Sequence, residues 1–259
     1  MSVTTKLQGH MDSLLSVDDA LQGAHILRAM AVDMGLSFAA VVDDYSEARL
    51  PLIEDGRALA EIFGWDQSFQ SSWEDNRLHL ISPIGFVCRM STKPFTWLTE
   101  SLNEIAPVAD DHLAKNWHLT PERGIFGGIT VPVHMPLGRV GSVGWVASTE
   151  DQPINLPAIL EEHQQALRTI AYLFMDILYE SRPDHVLAQG TAKLTEREVE
   201  CLSWVALGKT DAEIATIIDR SVPTVRFHLE NAMKKMDVAN RTQAAALASQ
   251  LGILGSLAR

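Results

Sequence analysis

The chain has 259 residues, 46% hydrophobic and 21% charged, a length that suits two domains and a composition able to fill sizeable cores. It contains no run of about 18 apolar residues, so no membrane span is expected, and its start, MSVTTKLQGHMDS, lacks the charged-then-apolar order of a signal peptide. Its two cysteines, Cys88 and Cys201, have no metal-ligand spacing, which argues against a disulfide framework or zinc site and for a reduced cytoplasm, while a net charge of −12 argues against nucleic-acid binding by the chain as a whole.

Residues 18–34 carry a helical apolar pattern, and SFAAVVDD (37–44) then reads as a strand. A second helical pattern spans 96–116. GIFGGITVPVH (124–134) and VGSVGWVAST (140–149) are apolar, β-rich runs separated by the turn residues MPLGR, which predicts a hairpin. Together these predict helices around a mostly antiparallel sheet, an α/β/α sandwich. LPAILEEHQQALRTIAYLFMDILYE (156–180) reads as one long amphipathic helix. It packs on its own domain or lends part of its stripe to a second subunit. The polar stretch around 179–193, with Pro183 and Gly190, is the best linker. The expected organisation is an N-terminal domain 1–178, a linker 179–193 and a C-terminal domain 194–259, α+β overall with an all-α end.

The last third carries four helix-start signals in a row. Thr195 with Glu198 and Thr210 with Glu213 have capping-box spacing. Ser221 can cap a third helix with Pro223 in its first turn, and Asn240 a fourth. Gly208 suits the left-handed end of the first helix. TDAEIATIIDRSVPTVRFHLENAMKKM has helix-turn-helix proportions, with a recognition helix over about 222–236. Its groove-facing candidates are Thr224, Arg226, Phe227, Glu230 and Asn231. Arg226 can hold a guanine edge, and Glu230 can accept from a cytosine amino group or repel nonspecific DNA. Lys209, Lys234 and Lys235 are placed to meet phosphates. Residues 191–259 hold nine Lys/Arg against eight Asp/Glu, a balance of +1, so the acidity lies in the N-terminal part. On pattern alone, a helical bundle with no DNA role stays open.

The stretch from Leu194 to Ala248 resembles the LuxR/FixJ-type DNA-binding domain nearly throughout. The matching pieces include Leu194-Thr195, Arg197-Glu198, Gly208-Lys209, Glu213-Ile214-Ala215, Ser221, Thr224-Val225, His228, Asn231, Lys235, Val238, Asn240-Arg241 and Ala244. The resemblance implies a four-helix DNA-binding domain in which His228 is structural.

Such a domain can follow several kinds of input. Asp43-Asp44 superficially resembles the acidic pocket of a phosphoacceptor receiver, but no strand delivers the further Asp and Lys, so the pair reads as a solvated strand end. The region 69–97 is instead similar to the autoinducer-binding domain of quorum-sensing regulators. Phe69, Trp73, Ser82-Pro83 and Trp97 stand at that family's aromatic and Asp-Pro spacings, with Phe95 before the last. The resemblance implies Phe69, Trp73, Ser82, Phe95 and Trp97 as ligand-binding candidates. It also exposes departures. Ser82 stands where the family has the Asp that accepts the amide N–H of an acyl-homoserine lactone. Trp73 replaces a Tyr hydroxyl with a donor-only indole. Gly144 and Val146 stand where the family has Ser or Thr. Trp97, the lactone-facing donor, is kept.

The expected protein is a cytoplasmic homodimeric transcription regulator. It binds double-stranded DNA half-sites, contacts RNA polymerase and has no membrane partner, metal or enzymatic cofactor. Its atypical pocket is suited to a small apolar signal, an acyl-homoserine lactone or analogue, and is expected to bind ordinary acyl-homoserine lactones weakly or not at all. The same aromatics can also be plain core residues with no ligand. A ligand-independent N-terminal domain serving as a heterodimerisation module is the alternative. An enzyme is not expected, because His10, His25, His79, His112, His118, His134, His163 and His185 are scattered without nucleophile or metal spacing.

Overall fold

The computed structural model describes residues 2–65, 70, 71, 73, 79, 82–102, 124–151, 153–180 and 194–254. Two compact units divide the chain, one containing Met1–Met135 and Arg139–His185, the other Val186–Arg259. Residues 181–193 of the expected linker, the 103–116 part of the second helical pattern, and His112, His118 and His185 lie outside the described residues. Among the described residues no helix is long and apolar enough to cross a membrane.

The first unit runs α1 (Val3–Leu14), α2 (Ala20–Asp33), β1 (Phe38–Val42), α3 (Leu59–Ile62), α4 (Pro83–Met90), β2 (Phe95–Leu98), β3 (Ile125–His134), β4 (Val140–Ser148) and α5 (Leu156–Glu180). The strands form one antiparallel sheet in the order β1-β4-β3-β2. The hairpin, β1, α2 and α5 fall where the apolar runs place them. The 96–116 pattern does not begin as a helix. Phe95–Leu98 is a strand, because an aromatic and β-branched run finds a partner edge in β3. That pairing needs Gly127, where a Cβ would stand 2.4 Å from the Trp97 carbonyl oxygen.

Strand side chains alternate between faces, and the two faces serve different cores. Ala39, Val41, Ile129, Val131, Val133, Val143, Trp145 and Ala147 point into the larger core beneath α1, α2 and α5. Trp145 is fully buried there, and its indole N–H donates to the Leu27 carbonyl at 3.3 Å. The stripe Leu156, His163, Leu167, Ile170, Phe174 and Leu178 of α5 faces the same core. Its opposite face, with Glu161, Gln164, Gln165, Arg168 and Thr169, is polar and exposed. That split is why α5 is a helix laid on its own sheet.

Asp43 and Asp44 are buried, not solvated as their place after a strand suggests. Asp44 accepts the Ser46 N–H at 2.8 Å and lies 3.7 Å from the Arg139 guanidinium, so the chain turning out of β1 covers it.

Among its described residues the second unit has four helices, α6 (Glu196–Ala206), α7 (Asp211–Ile217), α8 (Val222–Lys235) and α9 (Arg241–Gln250). Both capping boxes are complete, and Ser221 and Asn240 cap α8 and α9 as the spacing predicts. The helix ends also share one device. Gly208, Asp219, Asp237 and Gly252 all have φ above +50°. The residue after each donates its N–H five residues back, as Lys209 does to Trp204 and Arg220 to Ala215. These are Schellman closures, and Asp is among the few non-glycine residues that tolerate the conformation.

Glu198 does two jobs. It accepts the Thr195 N–H at 2.7 Å as the capping-box acid and the Lys235 ammonium at 2.8 Å, tying the end of α8 to the start of α6. Burial pushes the Glu198 carboxyl up, but these bonds outweigh it and hold the group below its ordinary value. A depressed carboxylate stabilises the fold above its ordinary range, and that contribution disappears as pH falls through the lowered value. Calorimetric melting of the full chain should therefore find Glu198→Gln about 1–2 kcal/mol less stable at pH 7. The gap to wild type should close as pH falls below about 4; a gap that persists at pH 3 contradicts the assignment. In the first unit, Phe174→Ala should cost about 3–5 kcal/mol in urea unfolding. Its ring lies so close to α2 that a Cβ on Gly23 would be 2.9 Å away.

Candidate functional site

The second face of the sheet carries a cavity of about 70 Å³. Its origin lies in two cross-strand rows, Ala40–Gly144–Thr130–Phe95 and Phe38–Val146–Gly128–Trp97. Ala40, Gly144 and Gly128 have little or no side chain, so the middle of the face is shallow. Trp65, Trp73, Trp97 and Tyr45 stand around it and close it from the sides.

Trp97 lies flat because Gly128 permits it, since a Cβ there would be 2.8 Å from the indole. Its N–H donates to Thr130 Oγ1 at 3.0 Å. Ser82 enters from the start of α4. As the N-cap it accepts the Gly85 N–H at 3.0 Å, with Pro83 in the first turn. Tyr45 reaches in from the turn after β1. Its ring fills the space above Gly85, where a Cβ would come within 2.7 Å, and the Arg89 guanidinium lies 5.5 Å from the ring centre. Its hydroxyl pairs with Ser142 at 2.8 Å. Burial drives the Tyr45 phenol well above its ordinary value and pushes the Cys88 thiol beside it to about 12, so both stay neutral. Among the described residues, none that lines the cavity bears a charge at neutral pH.

Of the residues expected from sequence, Trp73, Ser82 and Trp97 line the cavity. Phe95 lies on the same sheet face, half-buried against the surrounding cluster, but beside the cavity. Phe69 lies outside the described residues. Sequence reasoning missed Tyr45, Trp65, Thr130 and Ser142. Strand alternation could have found Thr130 and Ser142, which are in phase with Gly144. Tyr45 and Trp65 follow loops and give no local signal.

In the second unit, α8 buries Val225, Leu229 and Ala232 and exposes Arg226, Phe227, Glu230 and Lys234 along one face. Phe227 is 60% exposed, unusual for a large aromatic. Arg226 Nε donates to Asp211 at 3.0 Å, and Asp211 also accepts from Arg241, whose guanidinium reaches the Lys209 carbonyl as well. Among the described residues no acceptor takes the terminal amino groups of Arg226. Thr224 is held at the cap, with its hydroxyl 2.8 Å from Ser221 Oγ. Asn231 is half-buried, and Lys209 sits in the α6–α7 turn, 3.6 Å from Glu213. Lys235 is engaged by Glu198. Asp211, which sequence reasoning did not single out, is the acid that gathers two of these cations.

Residues 22–177 match the autoinducer binding domain, and residues 192–248 match the bacterial regulatory proteins of the luxR family. The transcriptional activator protein AnoR of Acinetobacter nosocomialis is 30% identical over 194 residues, 73% of this chain and 76% of that protein. The transcriptional activator protein AhyR of Aeromonas hydrophila is 26% identical over 250 residues, 96% of this chain and 92% of that protein. A crystal structure of SdiA from Escherichia coli superposes with a TM-score of 0.59 at 20% identity, covering 98% of this chain and 99% of that one, a likeness of fold. These relatives are regulators of transcription, not enzymes. The chain therefore belongs to the LuxR family of quorum-sensing transcriptional regulators, joining an autoinducer-binding domain to a LuxR-type DNA-binding domain.

Proposed function

We propose that the chain is a homodimeric regulator, with a ligand-binding domain over 1–178, a linker over 179–193 and a DNA-binding domain over 194–259. Two copies of α8 read half-sites about 34–36 Å apart, one turn of duplex. The ligand cavity takes ordinary acyl-homoserine lactones weakly or not at all.

The observation that carries the DNA reading is the outward face of α8, where a cation, an aromatic and an acid alternate with a buried apolar stripe. Arg226 keeps both ends of its fork for a guanine edge while Asp211 holds its Nε. Phe227 offers apolar contact to a thymine methyl, and Glu230 accepts from cytosine. Lys234 and Lys209 meet phosphates, and Thr224 and Asn231 flank the reading face. Lys235 serves the same phosphate row only as far as its bond to Glu198 allows. A balance of +1 in this unit means that one head alone holds DNA weakly, which favours paired heads.

The observation that carries the ligand reading is Ser82. Its oxygen already accepts a helix-cap N–H and carries no charge, so it is a poor substitute for a carboxylate facing an amide. Losing that charge-assisted bond costs about 1.5–3 kcal/mol, roughly ten- to a hundredfold in affinity.

Duplexes selected from a random pool would supply the operator. On that operator Arg226→Ala should lose about 1–3 kcal/mol and relax preference at one base pair. Lys234→Ala should weaken binding to all sequences alike and lower the salt slope by about one. If Arg226→Ala weakens every sequence equally, it does not read a base. Calorimetric titration with acyl-homoserine lactones of several chain lengths should find no tight complex; submicromolar binding overturns the ligand reading.

A further inference from the structure

The hydrogen-bond inventory of the cavity decides which atoms a ligand must bring. A serine or threonine hydroxyl has one hydrogen to donate and lone pairs to accept with. Ser82 Oγ accepts the Gly85 N–H, and Thr130 Oγ1 accepts the Trp97 indole N–H. In both, the bond made inside the protein uses the accepting side. Among the described residues no acceptor takes either hydroxyl hydrogen. Both side chains are nearly sealed, Ser82 at 2% exposure and Thr130 at 4%, and both line the cavity. A buried donor with no acceptor is costly, so each is a standing demand for an oxygen atom.

Several other polar groups around the cavity are bonded within the protein. Tyr45 and Ser142 bond to each other beside the Cys88 thiol. The Trp65 N–H donates to the Ala39 carbonyl at 2.7 Å. The Trp97 N–H, which the family resemblance assigns to the ligand, is given to Thr130 instead, so the donor role passes to the threonine hydroxyl. Among the described residues no carboxylate lines the wall to receive an N–H.

We infer that the cavity is built for a compact, neutral ligand that carries acceptor oxygens and no N–H: a short-chain ester, ketone or lactone. This rests on the reading that the cavity binds a small molecule at all. Carbonyl oxygens accept from Ser82 and Thr130, and the apolar remainder lies on Trp73, Trp97, Ile84 and Val146. An amide N–H in the same place finds only the second lone pair of a neutral hydroxyl that already accepts one bond, a weaker partner than a carboxylate. About 70 Å³ is roughly five times what one water requires by this measure, so the ligand is small.

Two probes differing in one atom test this: the butanoyl ester of α-hydroxy-γ-butyrolactone, and the butanoyl amide of α-amino-γ-butyrolactone. Calorimetric titration of the wild-type full chain should find the ester bound at least tenfold more tightly. Equal or tighter amide binding overturns the inference and leaves the cavity a ligand site. If neither probe binds at millimolar concentration, the reading of the cavity as a ligand site falls, and the inference with it. Ser82→Asp keeps a good helix cap and adds a strong acceptor, so it should swing the preference toward the amide by tenfold or more. An unchanged ester preference in a folded Ser82→Asp protein overturns the role given to Ser82.

Discussion

The N-terminal unit turns on one contact, the Trp97 indole lying across Gly128 with its N–H on Thr130. A side chain at 128 would lift the ring off the sheet, and without Thr130 the buried indole nitrogen would lack its acceptor. With both in place, a short edge strand is pinned to β3, one wall of the cavity is set, and the shallow row Ala40–Gly144 is left open beside it. Strand alternation carries the consequence through to the other side. The residues between these, Ile129 and Trp145, are thrown into the larger core, where α2 and α5 cover them. One sheet therefore supplies both the stability of the unit, from its β-branched and aromatic face, and the wall of a cavity, from its small-residue face.

The C-terminal unit is organised by its helix ends. Side-chain caps begin its four helices, and left-handed residues with backbone closures end them. Short helices are marginal alone, so such ends fix where each one starts and stops. That precision decides which residues of α8 face outward. The ion pairs then sort the cations. Lys235 is committed inward to Glu198, Arg226 and Arg241 share Asp211, and Lys234 stays outward. The near-neutral charge of the unit is thus unevenly distributed.

How much of this was legible in the sequence varied with the range of the interactions. The four helix starts of the second unit were readable because a cap and its acid stand three residues apart. The hairpin was readable from two β-rich runs around MPLGR. Gly208 was visible as a helix end, whereas Asp219 and Asp237 were not, because Asp more often starts a helix than closes one. Phe95–Leu98 was misread because an apolar segment this short satisfies both periods, and its partner strand lies some thirty residues on. Asp43 and Asp44 looked solvated because nothing local marks the Arg139 that meets Asp44. The cavity was half legible. Ser82, Trp73 and Trp97 carry family spacings, but Tyr45, Trp65, Thr130 and Ser142 reach it only through the sheet register and loop paths.

Ser82 explains how such a site can change its chemistry without losing its fold. The N-cap position before α4 demands an oxygen that accepts the Gly85 N–H, and Asp, Asn and Ser meet that demand with similar strength. The helix therefore constrains the residue only to a short polar side chain. Charge, donor capacity and reach remain free to vary. A carboxylate there caps the helix and still offers the cavity an anionic acceptor, whereas a serine caps the helix and offers a hydrogen. Because Gly85 must also stay bare beneath the Tyr45 ring, the helix start cannot slide to bring another residue into this place. Cap and cavity wall are thus one side chain, and a substitution allowed by the first reverses the polarity of the second.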